Sequence, residues 1–280
     1  MKRERRRNAG FTLVELMVVI SIIAVLAALI LSVLHRVKVK ALLKKAEIEE
    51  ASIVQAIHSY DHDYGKLPAS AAAINAASAV PLAAGGPDDI TYGTAGVTCV
   101  GPGGPNAANQ GFSAPTGYQA VGSPGYQTNN SEIMAVLLDM EHWPNTPGVP
   151  TVNLGHALNP QRTKYLNAHM SGDNSSPGIG QDGVFRDPWG NPYIITLDLN
   201  YDGKARDAFY RDPAVSQDQS DPNPPPKRGL NGLIPRTIGT HTFYEANDSV
   251  MVWSAGPDKL VEPNPPPNQG VNRDNVLSWK

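Results

Sequence analysis

Four residues past the middle of the chain have the types and the spacing to hold a hard cation. Asp198, Asn200, Asp202 and Gly203 spell D-x-N-x-D-G, the front half of an EF-hand-like calcium loop, where alternate oxygens point inward and glycine permits the sharp bend. The bidentate glutamate of the back half is missing, and Asp207 is the nearest substitute. The same residues also build an ordinary hairpin turn, so both readings stand. A second carboxylate, Glu15, lies about one turn into an otherwise unbroken apolar run. An ionisable group in hydrocarbon costs at least ~2.5 kcal/mol and calls for a partner. Either Glu15 snorkels to an interface or it meets a positive charge from a neighbouring chain. Cleavage after Gly10 would create such a charge, the α-amino group of Phe11.

Motifs for catalysis are absent. There is no HExxH, Gly122-Ser123-Pro124-Gly125 has the wrong spacing for GxSxG, and GPGGPN at Gly101 lacks the Lys-Ser/Thr ending of a phosphate loop. His58 and His62 share a helix face with Asp61 nearby, but no third strong ligand completes a transition-metal set. Cys99 is the single cysteine, so no intramolecular disulfide can form, and it has no identified base to activate it. The expectation is a protein that is not an enzyme.

The element that positions Glu15 is the run Phe11 to Leu34. At 1.5 Å per residue it is long enough to cross a ~30 Å hydrocarbon core as a helix. Lys2, Arg3, Arg5, Arg6 and Arg7 outweigh Glu4 in front of it, which keeps that end cytoplasmic and sends the rest across. A secretory signal peptide has a shorter apolar core with its small residue behind it; here Gly10 comes before. Leu42, Ala46, Ile53, Ile57, Tyr60 and Tyr64 then continue one apolar face through residues 35–64, until Gly65 and Pro68 stop the helix. The chain divides into a basic leader (1–10), an apolar helix (11–34), its amphipathic extension (35–64) and an exported globular part (65–280). The net charge of −3 is spread so that the part beyond the leader is acidic, which argues against nucleic acid as a partner.

In the globular part, 26 glycines and 25 prolines point to long irregular segments around a modest core. Ala69 to Thr128 has little periodicity and reads as a loop insertion. Asn130 or Ser131 is placed to cap a short helix carrying Ile133, Val136, Leu137 and Met140. Tyr193–Leu197 and Val250–Ser254 are strand candidates, with Asp198–Gly203 as a hairpin turn and Ala208–Tyr210 as its return. Asp212 to Pro235, rich in proline, cannot be a central strand. The fold class is α+β: a long N-terminal helix packed on a small antiparallel sheet with long irregular loops.

G-F-T-L-V-E followed by the apolar helix resembles the processing signal of type IV pilins and of the pseudopilins of type II secretion. The YDHDYGKLP helix exit, DPWGNPY, SAGPD and the DNVLSW ending resemble the major pseudopilin in particular, leaving the middle of the chain unmatched. The resemblance implies cleavage between Gly10 and Phe11 by a prepilin peptidase, N-methylation of Phe11, and a role for Glu15 in subunit register. It also implies a calcium ion in the C-terminal loop, held by backbone carbonyls and by Asp258 and Asp274. The chain departs from that pattern at Lys259, where glycine is usual, and in the lengthened stretch before Asp274, where Asn275 is an alternative match. The implied function is that of a structural subunit of a secretion pseudopilus. Its partners would be further copies of itself, minor pseudopilins, the prepilin peptidase and an inner-membrane assembly platform. Its implied place is the inner membrane, single-pass, with the C-terminal domain outside the cytoplasm. Alternatives are a type IV pilin for adhesion, motility or DNA uptake, and a membrane-tethered binding module.

Overall fold

The computed structural model describes residues 11–78, 89–94, 98–99, 129–262 and 269–280. It divides into two units, one ending at Lys44 and one running from Lys45 to Lys280. Helix α1 (Leu13–Tyr64, 52 residues) contributes to both.

In the first unit α1 carries apolar side chains that nothing covers. From Leu13 to Leu29 its large hydrophobic residues are 44–73% exposed, on every face of the helix. The expected membrane span, Phe11–Leu34, includes residues whose side chains lie outside the described set. Among the described residues no helix is long and apolar enough to cross a membrane.

The second unit is built on the rest of α1. Ala46, Ile53, Ala56, Ile57 and Tyr60 are buried, the stripe that the 3.6-residue period dictates. Gly65 ends the helix with φ +63°, and its N–H closes the last turn on Asp61 O at 2.7 Å. Helix α2 (Ala71–Ser78) follows. The strands are β1 (Ile90–Tyr92), β2 (Thr98–Cys99), β3 (His142–Trp143), β4 (Thr146–Pro150), β5 (Gly178–Ile179), β6 (Phe185–Arg186), β7 (Ile194–Leu197), β8 (Ile234–Ile238), β9 (His241–Glu245), β10 (Val250–Ser254), β11 (Leu260–Val261) and β12 (Val276–Leu277). Helix α3 (Ser131–Leu137) precedes β3, and the single turn α4 (Pro213–Ser216) precedes β8.

The main sheet has the order β1-β7-β10-β12, antiparallel throughout. Its register places Ile195 beside Tyr92 and Val252, and Thr196 beside Thr91 and Met251. Period-2 alternation therefore gives the sheet two apolar faces. Ile90, Tyr92, Ile195, Leu197, Val250 and Val252 pack with Ile53, Ile57 and Tyr60 of α1 and with α3. Ile194, Met251 and Trp253 face the other way, onto Phe209, Tyr210, Val215, Leu233 and Tyr244.

Three expectations are corrected. Part of Ala69 to Thr128 is not loop: β1 is an edge strand of the main sheet, and Ala73, Ala76 and Ala77 of α2 are buried in the same core. The rest of that stretch largely lies outside the described residues. Ala208–Tyr210 is not a returning strand. Asp207 Oδ1 accepts the N–H groups of Phe209 and Tyr210, both at 2.8 Å, which turns the chain there, and β7 pairs with β1 and β10 instead. The amide of Asn130 does not cap α3. Asn129 Oδ1 accepts from Ser131 N at 3.1 Å, while Asn130 donates to Phe185 O and Tyr193 O and accepts from Phe185 N, all at 2.8 Å. The proline-rich excursion supplies the second face of the core. It ends in a β8–β9 hairpin outside the main sheet, where Pro235 is tolerated.

Candidate functional site

Three places carry the residues singled out from the sequence. At the front of α1, Gly10 lies outside the described residues, and Phe11 is exposed. Glu15 is not without a partner within its own chain. Its Oε2 accepts from both the N–H and the hydroxyl of Thr12 at 2.8 Å, and its own N–H approaches Thr12 Oγ1 at 3.3 Å. This is a capping box, in which residues three apart satisfy each other's end groups at a helix start. The T-x-x-E spelling is in the sequence, Thr12 to Glu15. One arrangement thus starts the helix beside the predicted cut and fixes the direction of the carboxylate.

The D-x-N-x-D-G segment forms a turn that uses its oxygens on itself. Asp198 accepts from Asp202 N at 3.3 Å and Gly203 N at 2.8 Å, and Asn200 Oδ1 from Asp202 N at 3.0 Å. Asp202 accepts from Lys204 N at 3.1 Å and pairs with Arg236. Burial pushes the Asp198 carboxyl up, and Asp202 adds to this. Asp207 is fully buried and engaged by Thr196 Oγ1 at 2.8 Å and Trp253 Nε1 at 3.0 Å besides the two backbone donors. It braces the second core rather than joining the loop.

The third place is the C-terminal loop. Ser254 Oγ accepts from Gly256 N at 3.0 Å and donates to Asp187 in the turn between β6 and β7. Asn191, from the same turn, donates to Asp187 Oδ2 and to Gly256 O, both at 2.8 Å. DPWGNP and SAGPD are therefore one hydrogen-bonded unit. Gly256 has φ +69°, and a Cβ there would lie 2.3 Å from Asp274 O, so only glycine fits. That approach brings Asp258 and Asp274 together. Partial desolvation pushes both carboxyls up, and Asp274 is raised further by the charge of Asp258. Asn275 turns away and donates to Tyr210 OH at 2.9 Å. Lys259 has φ +64°, a left-handed conformation that explains why glycine suits this position. Asn272 exchanges two hydrogen bonds with the backbone of Glu262, at 2.8 and 2.7 Å, across the base of the lengthened stretch. Among the described residues no three His, Cys, Asp or Glu side chains cluster as a metal site. A calcium ion here would have to draw on backbone carbonyls beside the two aspartates.

Comparison with known proteins bears on the first of these places and on the chain's relationships. The family described as a prokaryotic N-terminal methylation motif matches residues 5–31. The type II secretion system core protein G of Aeromonas hydrophila is 36% identical over 89 residues, which is 32% of this chain and 61% of that protein. The chain thus spans less than two thirds of the length of this relative. No solved structure matches with significance. With its α+β fold and its capped apolar helix, the chain bears the prokaryotic N-terminal methylation motif and is similar over part of its length to a type II secretion core protein.

Proposed function

We propose that the chain is a structural subunit, not an enzyme, stored in the inner membrane and assembled into a pseudopilus that drives protein secretion. The observation that carries this reading is the front of α1, apolar and exposed on all faces from Leu13 to Leu29. A soluble chain does not leave such a surface bare; lipid or neighbouring helices must cover it. The span would be Phe11–Leu34, with the N-terminus cytoplasmic and the globular part outside. Prepilin peptidase would cut after Gly10 and methylate Phe11. The same helix would then leave lipid for the filament interior, beside other copies and minor pseudopilins on an assembly platform. Glu15, already aimed by Thr12, would set register by meeting the amino group of a neighbour's Phe11.

Calcium would sit in the C-terminal loop, held by Asp258 and Asp274. The fit rests on two carboxylates brought together by Gly256, each raised by its surroundings. A divalent cation relieves their repulsion and fixes the loop.

The test is the mass and N-terminal sequence of the membrane-extracted chain. N-methylated Phe11 is expected; an intact leader would leave a permanently tethered module as the better reading. Glu15→Ala should be cleaved normally yet assemble poorly, and wild-type filament yield from it would defeat the register role. Filaments on the cell surface would favour the pilus alternative.

A further inference from the structure

Among the described residues Glu50 has no counterpart to its charge. It lies on the outer part of α1, is fully buried, and neither of its carboxyl oxygens has a hydrogen-bond partner. A buried carboxylate left unpaired carries a desolvation penalty far above that of a neutral acid, and normally takes up a proton instead.

Among the described residues, the groups whose charge bears on it are acidic. From its own helix these are Glu47 and Glu49, and from the turn between β6 and β7 it is Asp187. Tyr193 and Tyr210 feel it from just before β7 and from the segment before α4. Glu49 is occupied by Tyr193 OH at 2.6 Å and lies 3.7 Å from Lys45. Lys259 approaches the same turn as Asp187, its Nζ 3.8 Å from the point where a Cβ on Gly190 would stand, but makes no bond to Glu50. Asp187 cannot share a proton with Glu50. Its Oδ1 accepts from Trp189 N at 2.9 Å and Asn191 N at 2.8 Å, and its Oδ2 from Asn191 Nδ2 at 2.8 Å and from Ser254 Oγ. Burial raises Asp187 too, but its four donors pull the other way, whereas Glu50 has none, so the proton falls to Glu50.

We propose that Glu50 is held as the neutral acid inside the folded domain and serves as a pH-responsive latch between the outer part of α1 and the sheet. Burial, Asp187 and the two helix glutamates all raise its carboxyl well above the ordinary range. An unfolded glutamate gives up its proton near ~4.3; the folded one keeps it. Stability from this group is therefore complete at low pH and is lost as pH rises from that value toward the raised one. Within that window each pH unit lowers the folding constant about tenfold. Alkaline conditions place a charge among Asp187, Glu47 and Glu49 and loosen α1 from the domain, whereas mildly acidic ones lock it.

The experiment uses the full chain in detergent micelles. Infrared spectra at neutral pH should contain a protonated-carboxyl C=O band that Glu50→Gln removes and Glu50→Asp shifts. In denaturant titrations across pH 5 to 8, the folding constant of Glu50→Gln should vary by about one proton less than wild type, about tenfold less per pH unit. An unchanged pH slope, or no band assignable to Glu50, would mean that it is ionised and balanced by a bound cation or water, and the latch would be abandoned. Should Glu50→Gln fail to fold, the Glu50→Asp band shift decides alone.

Discussion

Replacing Asn130 by alanine tests how the head of the domain is tied together. The side chain is fully buried. It bridges the start of α3 to β6 and to the residue before β7 through three bonds of 2.8 Å. Truncation strips the Phe185 N–H of its acceptor and takes a donor from two carbonyls. Phe185 O is partly compensated, because it also accepts from Tyr193 N at 3.0 Å. Two groups thus bear most of the loss, and at about 1–3 kcal/mol for each buried group left unsatisfied the expected cost is about 2–6 kcal/mol. Asn129→Ala is the control, since it removes a bond to Ser131 N at the helix start and should cost about 0.5–2 kcal/mol. Urea unfolding of the full chain in micelles, followed by tryptophan fluorescence, measures both. If Asn130→Ala were no more damaging than Asn129→Ala, the bridge would not be holding the sheet to α3.

Ile57→Ala in the fully buried stripe of α1 should cost about 2–5 kcal/mol by cavity formation, read in the same unfolding assay. Gly256→Ala, with its Cβ driven onto Asp274 O, should destabilise by about 1–3 kcal/mol. It should also weaken calcium binding measured by calorimetry, and unchanged affinity would separate the loop from the ion. Arg206 Nε lies 3.0 Å from Glu245 Oε1, both 1% exposed. Arg206→Ala leaves the buried Glu245 carboxylate, among the described residues, with only Arg236 Nη1, at 3.4 Å, and should cost up to about 3–5 kcal/mol; the double change with Glu245→Gln should recover part of it.

What could be read from the sequence was whatever depends on local order. Helix α1, helix α3 and strands β7 and β10 follow from periodicity and composition. Strand β1 was hidden because Ile90–Tyr92 is too short to show a period, and its partner Leu197 lies far along the chain. The false return strand arose because a turn fixes only its own geometry. Asp207 redirects the backbone after it, and β7 pairs with β1 and β10, distant in the chain. At the candidate sites the residue types were legible but their partners were not. Asp274 lies against Gly256 while Asn275 bonds Tyr210 OH, a difference of setting that adjacency in sequence hides, and the capping role of Glu15 is spelled out in T-x-x-E. The helical period sets Glu50 on the same stripe as Ala46, Ile53 and Ile57; what the order of residues does not show is that its carboxyl meets no hydrogen-bond partner there.

The exchange between Asn272 and Glu262 ties together points ten residues apart in a chain that has one cysteine. Two hydrogen bonds contribute about 1–3 kcal/mol, near the lower end of what a disulfide gives. An amide clasp needs no oxidant, no isomerase and no partner thiol. It closes as fast as the strands around it form, and it is indifferent to reductant, so maturation of the loop does not depend on the redox state of the compartment.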